Sequence, residues 1–336
     1  MSTNAHSILS VSLNLLLSLL LLIAAAWGGL ALYYQLPLSM PWLVAGLLLW
    51  TGLSVFALVH LWRRRRLHGV LIYLALHATL LLWWNSLTPT NQQQWQDDVA
   101  QMTSGRVEGD QVTLFNVRNF AWHSDTEYTP RWETREYDLS KLKSVDMITS
   151  HWGMDAIAHV LVSFGFDDHQ FVTFSVEIRK KKGQEFSEIA GFFKQYELSI
   201  LATDERDAIA VRPNVRGEDT YLYRIDMPAA IRRQLFLSYI EQANQLLKQP
   251  RFYNTVTANC TTLVFGMMQH ISGDLPLDSR LLLTGYLPSY IEEQDGLTDG
   301  FDLAQLRTAG RITERSKQAG QSPDYSKIIR QGVPGW

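Results

Sequence analysis

The stretch "HVLVSFGFDDHQFVTFSVEIR", His159–Arg179, contains two runs of alternating apolar and polar residues, separated by the polar turn Asp167–His169. Alternation with a period of two is typical of β-strands with one buried face, so the stretch predicts an antiparallel hairpin. Residues that oppose each other across a hairpin share a face of the sheet. With a three-residue turn, the numbers of opposing residues add up to 336, which sets His159 opposite Glu177.

In this register Ser175 lies diagonally across from His159. A one-residue slip would turn the apolar face of one strand outward, so Glu177 or Ser175 is expected beside His159 whatever the details of the turn. A carboxylate in this position can orient an imidazole and stabilise its protonated form, the third role in a catalytic triad. The alternative is that Glu177 is a solvated side chain on the outer face of the sheet.

The sequence around the hairpin predicts a mixed fold. Further strand patterns, one of them following a loop, are "QVTLFNVRNFAW", "YTPRWETREYDL", "YELSILATD", "AIAVRPN" and "DTYLYRID", at 111–122, 128–139, 196–204, 208–214 and 219–226. Amphipathic patterns predict one helix over 227–249, ended by Pro250, and a second from Thr261 to Gly273. The last forty residues or so give no clear element. We therefore expect an α+β domain.

The second predicted helix follows Cys260, the only cysteine in the chain, in the stretch "YNTVTANCTTLVFGMM". If the helix begins at Thr261, its N-cap is Asn259 or Cys260. Free backbone N–H groups and the positive end of the helix dipole then lie near the sulfur and favour the thiolate. The same groups, with Asn259 as a possible further donor, can stabilise an oxyanion. The alternative is that Cys260 is a small core residue.

A thiol nucleophile needs a base, and histidine is the usual one. Outside the apolar N-terminal region the candidates are His123, His151, His159, His169 and His270. His159 is favoured because it opens a strand, where a rigid scaffold can aim it. The turn places His169 in solvent, and His270 lies ten residues along the Cys260 helix, about 15 Å away. The sequence therefore predicts a site built from Cys260, His159 and Glu177.

A metal site is the other chemistry for which the chain has candidate residues. His151, Asp155 and His159 are spaced to share one face of a helix, an arrangement that can bind zinc. However, "HWG" is typical of a loop and His159 begins a strand, so this geometry is not expected. A single cysteine also excludes an intramolecular disulfide and a multi-cysteine zinc site. We predict no metal and no cofactor.

The N-terminal region contains three apolar stretches, at about 8–34, 42–62 and 67–87, each close to the roughly 20 residues that cross a bilayer. Residues 1–90 contain no Asp, Glu or Lys, and their only charged side chains are Arg63, Arg64, Arg65 and Arg66. We predict a membrane domain over 1–88, a linker over 89–105, an extracytoplasmic domain over 106–300 and a polar extension over 301–336. A cleaved signal peptide is the alternative for the first stretch.

The four arginines lie between the second and third stretches and predict a cytoplasmic loop by the positive-inside rule. The N-terminus is then also inside, and everything after the third span is outside. This is the topology of a multi-pass membrane protein with an extracytoplasmic domain. The chain has no basic stripe of the kind that binds nucleic acid.

Several stretches together resemble the Lnb periplasmic-domain family: "NFAW", "HWGMDAIAHVLVSFGF", "FSVEIRKKKGQEFS", "FFKQYELSIL", "ERDAIAVR" and "FYNTVTANCTT". The resemblance covers roughly 112–271 and does not include the apolar N-terminal region. It implies a circularly permuted papain-like thiol fold, with an antiparallel sheet and a cysteine-bearing helix. In this order the histidine strand comes before the cysteine helix, as His159 comes before Cys260.

The resemblance also implies an activity: transfer of a fatty acyl chain from the sn-2 ester of the diacylglyceryl group to the N-terminal amine of a bacterial lipoprotein. The partners would be the membrane and a bacterial lipoprotein or a phospholipid-derived acyl substrate. Three alternatives remain open at this point. They are a cysteine peptidase or amidase acting on the cell envelope, a thiol hydrolase of lipid esters, and a non-enzymatic interaction domain. The sequence does not predict the oligomeric state.

Overall fold

The computed structural model of the protein describes residues 2–63, 66–273 and 275–336. The chain forms two compact units. The first consists of Met1–Pro89 and Ser187–Gln195, and the second of Thr90–Phe186 and Tyr196–Trp336. Arg64 and Arg65 of the predicted cytoplasmic loop lie outside the described residues.

Three long helices make up most of the first unit: α1 (Ser2–Gln35), α2 (Met40–Leu61) and α3 (Arg66–Ser86). The portions that are long and apolar enough to cross a membrane are Leu9–Gln35, Met40–Leu61 and His68–Ser86. The prediction of three such helices is therefore confirmed. Their side chains at many positions are exposed and apolar, as expected of surfaces that face lipid tails.

The three helices are joined by polar contacts as well as by packing. The Trp50 indole N–H of α2 donates to the Ala25 carbonyl of α1 at 2.8 Å, and the Tyr73 hydroxyl of α3 donates to the Leu21 carbonyl at 3.3 Å. Gly28 of α1 lies under the Trp50 ring, where a Cβ atom would come within 2.3 Å of a ring carbon. A glycine at this point therefore permits the close approach of α1 and α2.

Ser187–Gln195, which comes much later in the chain, is part of the membrane unit. The Gln35 side-chain amide at the end of α1 donates to the Phe193 carbonyl at 2.6 Å, and the Phe193 ring stacks on Tyr34. The Lys194 ammonium donates to the Trp84 carbonyl in the last turn of α3 at 2.7 Å. We call these nine residues the interface segment, because they bind to the ends of two spanning helices.

The second unit is built on a large, mainly antiparallel sheet. Its strands are β1 (Ser104–Glu108), β2 (Gln111–Arg118), β5 (Trp132–Asp138), β6 (Leu142–His151), β7 (Ala158–Phe166), β8 (Phe171–Arg179), β9 (Glu197–Thr203) and β10 (Asp219–Arg224). The strand order is β1-β2-β9-β8-β7-β6-β10, and β5 pairs with β2 off this order. A separate ribbon contains β3 (Ala121–Trp122) and β4 (Tyr128–Thr129). The mixed α+β prediction is confirmed.

The predicted hairpin is formed by β7 and β8. Leu161 pairs with Ser175 and Val162 with Phe174, so the predicted register is confirmed. The apolar face of the hairpin packs against α6 (Ala229–Lys248), with Phe164 edge-on to Phe236 at 5.0 Å between ring centroids. Aromatic pairs in this arrangement add to the stabilisation that comes from burial alone. This face forms the larger hydrophobic core of the unit.

The opposite face of the sheet is also covered. Leu161 packs there with apolar residues of α4 (Glu205–Ala208), α10 (Thr313–Ala319) and α11 (Tyr325–Arg330) in a second core. Ser163, Thr173 and Ser175 on this face are almost completely buried. Glu177, on the same face, is partly buried, with a side chain that is 23% exposed and lies against His159.

Three local predictions differ from the structure. The stretch 208–214 was expected to be a strand, but it contains the end of α4 and the short helix α5 (Val211–Asn214). The strand β6 was not expected at all. The C-terminal residues, for which no element was expected, form α9 (Leu303–Gly310) as well as α10 and α11.

The remaining helices are α7 (Thr262–Ser272), which follows Cys260, and α8 (Leu287–Glu293).

Candidate active site

The hairpin brings together the three polar residues that its pattern singled out. His159 Nε2 lies 2.8 Å from Ser175 Oγ and 3.2 Å from Glu177 Oε1. The Ser175 hydroxyl donates to the same Glu177 oxygen at 2.5 Å. His159 is therefore held at one ring nitrogen by a carboxylate, both directly and through a hydroxyl.

Cys260 lies where the two strands stop pairing. The register between β7 and β8 ends at the Leu161–Ser175 pair, although both strands continue beyond it. Cys260 interacts electrostatically with His159, and the neighbouring Val160 backbone N–H also acts to lower the pKa of the thiol. The start of α7 is thus positioned against β7, and Cys260 is 8% exposed.

Asn259 fixes the start of this helix. Its Oδ1 accepts from the Thr261 and Thr262 N–H groups, both at 2.8 Å, and its Nδ2 donates to the Thr255 carbonyl at 2.7 Å. The Leu263 N–H donates to the Asn259 carbonyl. Asn259 thus acts as the N-cap, and both ends of its amide are used to orient the turn that carries Cys260.

The electrostatics favour a charged thiolate–imidazolium pair. Burial and the positive charge of Arg212 lower the pKa of His159, but Glu177 and the hydrogen bond to Cys260 outweigh them and raise it to about 8. Burial disfavours the Cys260 thiolate, yet the hydrogen bond and charge of His159 hold the thiol pKa below its usual value. Despite its burial, the pKa of Glu177 is strongly lowered by His159. His159 and Glu177 therefore favour their charged forms near neutral pH, and the Cys260 thiol ionises more readily than a free thiol.

Two charged residues at the site were not expected from the sequence. Arg212 of α5 lies 3.9 Å from Glu177 Oε1 through one guanidinium nitrogen and 3.0 Å from Glu218 Oε2 through another. Both Arg212 and Glu218 are more than nine-tenths buried. The pattern around Arg212 predicted a strand, so no sequence signal directed this side chain toward Glu177.

The other histidines outside the spanning helices lie elsewhere. His151 ends β6 and pairs with Ala158, so it does not share a helix face with His159. His169 is in the β7–β8 turn, His123 is in the β3–β4 ribbon, and His270 is near the end of α7. Within residues 2–63, 66–273 and 275–336, no group of three or more His, Cys, Asp or Glu is arranged to hold a metal ion.

A membrane unit of three helices, followed by an α+β domain with a partly buried Cys–His–Glu cluster, defines a membrane protein with a candidate thiol site. Residues 128–288 match the family model described as the Lnb N-terminal periplasmic domain. The match supports the Lnb periplasmic-domain family for this part of the chain, and with it an Lnb-like membrane protein that has an extracytoplasmic domain. The match includes every residue of the cluster and excludes the three membrane helices. No curated protein and no solved structure matches the chain.

Proposed function

We propose that the protein is a membrane-bound thiol acyltransferase that acts on bacterial lipoproteins. In this proposal an acyl chain moves from the sn-2 ester of the diacylglyceryl group to the N-terminal amine of the lipoprotein. The observation that carries it is the electrostatic interaction of Cys260, at the start of α7, with His159, inside a domain that matches the Lnb family model. Membership of this family favours acyl transfer over the other reactions of a thiol nucleophile.

The chemistry proceeds in two balanced steps. The Cys260 thiolate forms a bond to the ester carbonyl carbon, and the glyceryl oxygen leaves with a proton from the His159 imidazolium. The lipoprotein amine then attacks the thioester and gives a proton to neutral His159, and the thiolate leaves. The acyl chain ends as an amide, the glyceryl group keeps a free hydroxyl, and the charged pair is restored.

Each proposed role follows from a contact at the site. Since Nε2 of His159 is occupied by Ser175 and Glu177, Nδ1 is the ring nitrogen assigned to exchange protons with the thiol. Ser175 and Glu177 orient the ring. Asn259 is assigned an orienting role, since its amide oxygen caps α7, and the N–H of Cys260 itself is the assigned oxyanion donor.

The proposed location is the bacterial inner membrane, with the N-terminus inside and the site in the periplasm. The basis is the arginine run Arg63–Arg66 between the second and third spans, which the positive-inside rule assigns to the cytoplasm. A lipoprotein substrate carries its acyl chains in the same membrane, on the outer side. Enzyme and ester would therefore share one membrane–water interface.

The test is expression of the full chain with a reporter lipoprotein in bacterial cells that lack their own N-acylation activity. We expect mass spectrometry of the reporter's N-terminal peptide to show one acyl chain on the amine and one on the glyceryl group. With Cys260→Ala the amine should stay free and both glyceryl esters intact. Thr257→Ala is the matched control, since this exposed threonine lies in the same loop and uses only its backbone there.

The other outcomes identify the competing functions. A free amine in cells with the unaltered protein contradicts acyl transfer. Loss of one ester without a gain on the amine indicates a lipid ester hydrolase, and cleavage of an envelope peptide or amide indicates a peptidase or amidase. If Cys260→Ala changes nothing, the thiol mechanism itself is wrong.

A further inference from the structure

The pair of charges behind Glu177 has no part in the chemistry described above. Arg212 extends from α5 and places one guanidinium nitrogen 3.0 Å from Glu218, which also accepts a hydrogen bond from the Ser150 hydroxyl at 2.6 Å. A second guanidinium nitrogen lies 3.9 Å from Glu177 Oε1. That distance is too long for a hydrogen bond but short enough for a strong interaction between a buried guanidinium and a partly buried carboxylate. Arg212 therefore lies between two carboxylates and binds one more closely than the other.

The same Glu177 oxygen faces His159 on its other side, at 3.2 Å. One carboxylate oxygen thus interacts with two cations, an imidazolium that gains or loses a proton and a guanidinium that does not. Arg212 keeps Glu177 ionised and at the same time opposes protonation of His159. How strongly it does so depends on how far Glu218 neutralises it.

We propose that Arg212 and Glu218 are positioning residues that set the basicity of His159 through Glu177. Resting on the function proposed above, this assignment gives the pair control of the pH range in which Cys260 is a thiolate while His159 is protonated. In this assignment the two members of the pair change the pKa of His159 in opposite directions. Without the charge of Arg212, His159 holds its proton to higher pH; without the charge of Glu218, Arg212 is unopposed and His159 loses its proton at lower pH.

Other charged or titratable groups also face this cluster, from every element packed against it. Besides Glu177, Arg212 and Glu218, they are Cys260 before α7, Tyr253 in the preceding loop, Arg216 after α5 and Arg118 of β2. Arg216 and Arg118 act on Glu177 through their charge alone. Their charges are the same in all the variants below. A difference between variants in the direction of the pH shift therefore comes from Arg212 and Glu218.

The lone cysteine makes the test direct. In the full-length protein in detergent, iodoacetamide labels only Cys260, and its rate plotted against pH reports the charged pair without any substrate. In the unaltered protein we expect a plateau that changes as His159 loses its proton near pH 8. Arg212→Met should move this upper inflection up, and Glu218→Gln should move it down, each by about one pH unit. Arg206→Met, which removes an arginine paired with Asp204, should leave it unchanged.

Because Arg212→Met leaves buried Glu218 without its partner, the milder Glu218→Gln variant decides the matter if the first does not fold. Shifts of both variants in one direction, or no shift in Glu218→Gln, overturn the assignment. The result is independent of the acyl-transfer assay, since the alkylation rate requires no lipoprotein. If the two variants shift in the expected opposite directions but the lipoprotein amine stays free, only the proposed function is contradicted.

Discussion

Glu177 Oε1 is the point at which the charges of the candidate site meet. It accepts the Ser175 hydroxyl at 2.5 Å and lies 3.2 Å from His159 Nε2 and 3.9 Å from Arg212. Burial alone would favour a neutral imidazole, because desolvation penalises the charged form. The raised pKa of His159, about 8, therefore depends on this one carboxylate more than on any other group of opposite charge at the site.

Glu177→Gln is expected to abolish the charged pair while keeping the shape of the site. Without the carboxylate, burial and Arg212 both act to lower the pKa of His159, and neutral His159 no longer stabilises the thiolate. The rate of Cys260 alkylation by iodoacetamide at pH 7 should fall by at least ~10-fold, since one pKa unit is a factor of ten in population. Glu136→Gln, on the exposed edge of β5, is the control. An unchanged rate in Glu177→Gln would show that Cys260 is activated by the helix start alone.

At the scale of secondary structure, local patterns predicted those elements whose two faces differ. The β7–β8 hairpin alternates because one of its faces carries large apolar side chains, and its register followed from that alternation. β6 is buried on both faces and contains Asp146, which is completely buried between Arg224 and Arg330. A strand of this kind has neither alternation nor a continuous apolar run. Its own sequence therefore does not predict a strand unless the side chains that pair with it are already known.

The short helices could not be predicted from the sequence pattern for a related reason. The stretch 208–214 is a brief apolar run, a pattern that strands and buried helices share. Its helical start is decided by Asp204, whose side chain caps α4 by accepting from the Arg206 N–H at 2.9 Å. Helices of four to eight residues owe their stability to packing rather than to propensity. The helices α10 and α11, which pack on the second core, are of the same kind.

In the candidate site, too, only the residues that lie within patterned elements could be predicted from the sequence. Cys260, His159, Ser175 and Glu177 lie in patterns that are readable within single elements, a helix start and a hairpin. Arg212 approaches Glu177, and Glu218 binds Arg212, only because of the path that the chain takes between β9 and β10, which the sequence pattern did not reveal.

The interface segment is the element whose position suggests contact with lipid. Its carbonyl and ammonium groups bind the ends of α1 and α3, while Ile189 and Phe192 are 53% and 43% exposed. Apolar side chains at the end of a spanning helix are stabilised by the acyl boundary of a bilayer. We therefore expect Ile189 to face the membrane interface rather than water.

This expectation can be measured with a spin label in the Cys260→Ala background. In bilayer nanodiscs, a label at Ile189→Cys should collide more with oxygen, which concentrates in lipid, than with a water-soluble nickel chelate. A label at Thr126→Cys, in the exposed β3–β4 turn, should show the reverse. Greater access of nickel at position 189 would mean that the segment lies in water.

At the scale of the whole extramembrane unit, the helices α10 and α11 pack against the sheet as part of the folded unit and do not form a polar extension from it. Tyr325 and Ile329 of α11 are fully buried in the second core, on the face of the sheet that carries His159 and Glu177. Arg330, at the end of the same helix, is 0% exposed and pairs with Asp146 of β6 at 2.9 Å and with Glu205 of α4 at 2.6 Å. One side chain thus joins the last helix of the chain to a central strand and to α4.

Arg330→Met tests how much this connection contributes to stability. Methionine fills part of the space but leaves Glu205 with only the Ser163 hydroxyl and Asp146 with only Arg224. Removing one partner of a buried ion pair costs about 3–5 kcal/mol, because the remaining charge is buried without compensation. Hydrogen exchange of the full-length protein should therefore show faster exchange in β6, α4 and α11 together.

Lys327→Met is the matched control on the same helix, since Lys327 is 45% exposed and pairs with Asp324 on the surface. Surface pairs of this type contribute at most about 1 kcal/mol, so exchange in β6 should be unchanged. If Arg330→Met speeds exchange in α11 alone, the C-terminal helix is a separable addition to the sheet. Faster exchange that extends through β6 to β7 would instead mean that the stability of the strand carrying His159 depends on Arg330 in the last turn of α11.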